Sequence, residues 1–216
     1  MKPILFNTEM VRAILEGRKT VTRRVVKPEQ NETLIRKDVS IKDFVEGIGF
    51  TNGLTPEEII RASYKAPYKV GDVLYVRETW GNYGDGTPLL YKADYPDGAT
   101  TYKHDDGIHI CDLPKWKPSI HMPKAAARIF LRVTSVSVER LQDMTVEDCH
   151  KEGVNIATSS ITDGETIKRD HDFSLEKFET LWDSTIKPDQ LKYYGWESNP
   201  YVWVIEFERV EGKCSD

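Results

Sequence analysis

Four runs rich in β-branched and aromatic residues, at 20–26, 73–80, 127–141 and 201–207, stand far apart along this chain. Strands so separated pair only through long-range closures. The stretches between them carry helix caps and polar loops rather than tight hairpin turns. This predicts an α+β fold, built as a small β-barrel or a strongly curved sheet with flanking helices. Alternation assigns faces within each run. In 73–80, Val73, Tyr75, Arg77 and Thr79 point one way, and Leu74, Val76, Glu78 and Trp80 the other. In 20–26, Val21, Arg23 and Val25 oppose Thr22 and Arg24.

The helices announce themselves by their ends. Asn7 or Thr8 caps a helix whose apolar face is Met10, Val11, Ile14 and Leu15, and Gly17 stops it. Thr55 precedes a proline-initiated helix at Pro56. Thr145 caps one that ends at Gly153, and Ser174 caps one carrying Leu175, Phe178, Leu181 and Trp182. The intervening stretches at about 29–69, 81–115 and 155–172 read as loop insertions on a single domain spanning 1–216.

The 216 residues suffice to bury a core without staples. A formal charge of -5 argues against a protein that coats nucleic acid non-specifically, so any such partner must meet a local basic surface. The cysteines Cys111, Cys149 and Cys214 are odd in number and scattered, which fits a reducing cytoplasm. No signal-peptide core or membrane-length apolar stretch is present, so a soluble cytoplasmic protein with no membrane partner is expected. His104, His109 and Cys111 fit no standard zinc spacing, and neither a metal nor another cofactor is expected.

The densest chemistry lies in Gly17-Arg18-Lys19-Thr20-Val21-Thr22-Arg23-Arg24, where a helix gives way to a strand. Crowding by Arg18, Arg23 and Arg24 lowers the pKa of Lys19 and suits it to act as a general base. The plain alternative is a solvated basic turn or an ion pair. Thr22 offers a hydroxyl for attack on an acyl carbon, or simply a strand residue. Glu78 sits on an apolar face and needs a partner, with Arg23, Arg24 or Lys19 as candidates. Trp80 shares that face, for stacking on a base or for the core. A second wall runs from Trp116 to Pro123, where Ser119 and His121 alternate to one side and prolines stiffen the backbone.

Gly17-x-Lys19-x-x-Thr22-x-Arg24 resembles the G-x-K-x-x-T-x-R signature of the ASCH family, a branch of the PUA-like superfold. The opening strand and helix, Gly71-Asp72 before the strand with Glu78, and the closing strand at 202–207 are similar too. Segments like 116–123 and 128–141 recur in the longer, phage- or prophage-associated members. The resemblance implies a PUA-like β-barrel and a role with RNA, a nucleotide or a nucleoside. By distant similarity to a bacterial N4-acetylcytidine amidohydrolase, it implies amide hydrolysis by Lys19, Thr22 and Glu78. The implied ligand contacts are Arg23, Arg24, Trp80, Ser119 and His121. A non-catalytic RNA-binding module and a metal-independent ribonuclease are the alternatives.

Overall fold

A computed structural model of the chain describes residues 1–27, 53–84, 87–103, 110–154 and 164–210. In chain order the elements are β1 (Lys2–Leu5), α1 (Thr8–Leu15), β2 (Val21–Val25), α2 (Pro56–Ser63), β3 (Val73–Arg77), β4 (Trp80–Gly81), β5 (Leu90–Tyr91), β6 (Thr101–Lys103) and β7 (Ile110–Asp112). Then follow β8 (Phe130–Arg140), α3 (Val146–Lys151), α4 (Gly164–Ser184), α5 (Leu191–Tyr194) and β9 (Tyr201–Val210). The mixed α+β class expected from the sequence is therefore present.

The main sheet has five strands in the order β1-β3-β8-β9-β2. β1 runs parallel to β3, with Ile4 opposite Val76, while β3 pairs antiparallel with β8 and β2 with β9. Among the described residues this sheet stays open, which corrects the expectation of a closed barrel. The remaining strands are only two or three residues long and pair with each other, β4 with β5 and β6 with β7, instead of extending the sheet. No helix among the described residues is long and apolar enough to cross a membrane.

The chain divides into two compact units, each discontinuous in sequence. The first takes the described residues within Met1–Gly17, Asp72–Arg132 and Glu208–Asp216. Its α1 forms because Asn7 accepts from the Met10 amide at 2.8 Å and buries Met10, Val11, Ala13 and Ile14. Gly17 closes the helix at φ 76, a conformation that costs glycine little. The alternation of 73–80 is realised: Leu74, Val76, Glu78 and Trp80 are buried, and Val73, Tyr75, Arg77 and Thr79 are half-buried. Trp80 packs with Met122, Ala126, Ala127 and Phe130, with Val73, Tyr75 and Tyr91 against them.

The second unit takes the described residues within Arg18–Gly71 and Val133–Phe207. Its core joins Val21, Val202 and Val204 of the sheet to Leu141, Met144, Cys149, Phe178 and Trp182. Two helices begin with reciprocal caps, Thr55 with Glu58 and Thr145 with Asp148. The helix expected to start at Ser174 instead runs through it, from Gly164 to Ser184, with Ser174 fully buried. The polar stretch before it holds no proline to stop a helix, so polarity alone misreads it as a loop.

Candidate functional site

In the second unit the segment Arg18–Arg24 is tied to the end of α3. Three consecutive residues meet three consecutive carbonyls there. Arg18 Nη1 donates to Gly153 O at 3.0 Å, Lys19 Nζ to Glu152 O at 2.7 Å, and the Thr20 amide to Lys151 O at 2.9 Å. The last carbonyls of a helix lack partners within it, and here a neighbouring chain segment supplies them.

Lys19 is the centre of this contact. Its Nζ also donates to Val21 O at 2.7 Å and to the Glu152 carboxylate at 2.6 Å, so all three ammonium hydrogens have acceptors. The side chains are 1% and 7% exposed. Burial pulls the Lys19 pKa down, the Glu152 carboxylate pushes back, and Arg24 and Arg23 add a smaller pull downward. The lowered pKa expected from the sequence is thus found. Its main cause is desolvation rather than crowding by arginines.

Arg23 completes the cluster. Its amide donates to Glu152 Oε1 at 2.7 Å, its Nε to Glu139 at 2.7 Å, and its outer nitrogens lie 3.4 Å from Glu152 and 3.7 Å from Asp148. Asp148 is the acid of the Thr145 cap, so Arg23 touches both ends of α3. Thr22 is buried beside it in β2 and Arg24 is half-buried. Sequence reasoning missed Glu152. The signal was present, because an acid at a helix C-terminus opposes the helix dipole and calls for a cation.

Cys149 lies under this cluster, fully buried, and burial pushes its thiol up to about 11. A thiol whose folded pKa is raised stabilises the fold below its ordinary value of 9.0 and loses that contribution as pH climbs towards 11. Wild type should therefore lose about 2–3 kcal/mol relative to Cys149→Ala across that alkaline window. Urea titrations of both proteins at each end of the window check this, and parallel pH profiles refute it.

Glu78 belongs to the first unit, and its partner is Arg128 rather than Lys19, Arg23 or Arg24. Arg128 Nε and Nη2 donate to the two carboxylate oxygens at 2.9 and 3.0 Å, a fork-on-fork pair with Glu78 only 1% exposed. Arg128 also reaches Asp94 at 2.7 Å and stacks over Tyr91 at 3.9 Å. Burial pushes the Glu78 carboxyl up, and the bond to Arg128 opposes it.

The second expected wall lies in the same unit. β3 and the residues after it hold it at two points. Trp80 and Lys117 exchange backbone hydrogen bonds at 3.3 and 2.7 Å, and Arg77 Nε donates to Met122 O at 2.8 Å. Gly81 is required there: a Cβ would fall 2.9 Å from Pro114. Trp116 is half-buried, with Lys92 over its ring at 5.4 Å and Tyr95 at 5.7 Å. Arg12 fixes the loop that carries these two, donating to Ala93 O, to Tyr95 O and to both oxygens of Asp97. Ser119 is half-buried and His121 exposed on a short 3₁₀ turn.

No family model, no curated protein and no solved structure matches this chain. The first candidates, Lys19 and Glu78, are each buried and each engaged by a full set of partners. Trp80 is core, with its ring face covered by Lys117 at 4.6 Å. Trp116, Lys117, Ser119 and His121 keep surface in solvent. Of the residues considered for a metal, His104 and His109 lie outside the described residues and Cys111 lies in β7.

Proposed function

We propose that the protein is a single-stranded RNA-binding module of the ASCH, PUA-like kind, and that its contact face is the segment 115–124. The observation that carries this reading is the half-buried Trp116 ring among lysines: Lys115 and Lys117 beside it in sequence and Lys92 over it. Aromatic faces that stack on bases, set among cations that follow the phosphates, are what single-strand binding requires. The ten residues of this segment hold three lysines, a histidine and no acid, in a chain of net charge -5. The resemblance of Gly17–Arg24 to the ASCH signature points to RNA as the partner.

Lys19, in this reading, organises the fold. Catalysis by it would first require an ammonium 1% exposed to leave three acceptors. The test is the anisotropy of a labelled oligouridine titrated with protein at several salt concentrations. Log K should fall linearly with log salt, by about 0.7 per phosphate contacted. Trp116→Ala should weaken binding by about 1–3 kcal/mol, the worth of one stacked base, with an unchanged Tm. Absent or salt-independent binding overturns the reading. Release of cytidine from acetylcytidine by a protein that ignores the oligonucleotide would restore amide hydrolysis. Chelator-resistant cleavage lost in Lys19→Ala would establish a ribonuclease.

A further inference from the structure

We propose that Arg77 is a phosphate-binding residue, taking a backbone phosphodiester of the strand that lies on 115–124. This rests on the reading of that segment as an RNA contact face. The first unit has three half-buried arginines, and their partners differ. Arg12 faces Asp97, and Arg128 faces Glu78 and Asp94. Among the described residues Arg77 has no carboxylate partner, only Met122 O. Charges withdrawn from water are normally paired, so an unpaired guanidinium held in place suits an external anion.

The way it is held leaves it competent. Nε is spent on Met122 O at 2.8 Å, which leaves the Nη donors for the two-pronged contact that a guanidinium makes with phosphate. The carbonyl is itself fixed, because the Met122 amide closes the turn onto Ser119 O at 3.0 Å. That turn carries Ser119 and His121, two residues the sequence already marks for recognition. Arg77 is three residues from Trp80, which is bridged to Lys117. Three residues of chain span at most about 10 Å. One short strand of RNA therefore reaches both the arginine and the aromatic wall.

The experiment repeats the oligouridine titration with Arg77→Gln, which keeps a donor for Met122 O and removes the charge, and with Arg77→Met. In both, the salt slope should shrink by about 0.7, the loss of one phosphate contact. Affinity should fall by the same factor for oligouridine and oligoadenine, because a phosphate contact carries no base information. Arg77→Lys should keep the slope, Trp116→Ala should lose affinity without changing it, and Arg61→Met in the other unit should change neither. If wild type binds with Trp116-dependent affinity and the slope of Arg77→Gln and Arg77→Met is unchanged, the assignment of Arg77 fails and the binding face stands. If wild type does not bind, both fail.

Discussion

Lys19→Met should cost about 3–5 kcal/mol of stability, the loss expected when one partner of a buried ion pair is removed and the other stays behind. The charge left behind is Glu152, 7% exposed, with the Arg23 guanidinium beside it at 3.4 Å as counter-ion. The carbonyls of Val21 and Glu152 lose their donor in the same step, and buried acceptors without donors add to the cost. Against a typical total of about 5–15 kcal/mol this is a large fraction, and for a chain of this size it lowers Tm by roughly 6–20 °C. Adding Glu152→Gln to Lys19→Met should recover part of the loss. The glutamine carbonyl still accepts from the Arg23 amide, and the stranded charge is gone. A double-mutant cycle followed by urea unfolding measures the coupling. A purely catalytic lysine behaves differently: Lys19→Met would leave Tm within a degree or two and the cycle would show no coupling, which would sink the structural role.

The same pair marks the limit of what was legible in the sequence. Alternation placed Leu74, Val76, Glu78 and Trp80 on the buried side of one strand, because two residues per repeat is a local property. Caps at Asn7, Thr55 and Thr145 were readable for the same reason: donor and acceptor lie three residues apart. The partners of the charged residues were not. Lys19 meets Glu152 across 133 positions and Glu78 meets Arg128 across 50, and no local pattern fixes such pairs. The signature segment showed that a cation and a hydroxyl stand at a helix–strand turn. It did not show that a helix end from elsewhere in the chain would consume the cation. The openness of the sheet among the described residues was hidden too, since closure depends on which edge each short strand finds. The length of α4 was misread because its first half holds only Ile167 and Phe173 as apolar residues, too few to leave the stripe of a helical period.

Arg128→Met should produce a stability loss that depends on pH, large at about pH 8 and small at about pH 5. In wild type the buried Glu78 carboxylate is held by two hydrogen bonds from one guanidinium. Without it, an ionised carboxylate 1% exposed has no counter-charge at hand, and the group escapes the penalty by binding a proton. Its folded-state pKa, already raised by burial, then rises further. The sign follows from linkage. A carboxyl with a raised folded-state pKa leaves the fold intact below its unfolded value of 4.5, and stability drains away as pH climbs from there to the folded pKa. The deficit at high pH should reach about 3 kcal/mol, since each tenfold gain in proton affinity is worth about 1.4 kcal/mol. A pH-independent remainder of about 1 kcal/mol comes from the lost stacking on Tyr91 and the exposed pair with Asp94. Glu78→Gln in the Arg128→Met background separates the two parts. It abolishes the pH-dependent loss and leaves the remainder. Equal deficits at both pH values would mean that Glu78 stays ionised without Arg128, and that the low-dielectric environment assigned to it is wrong.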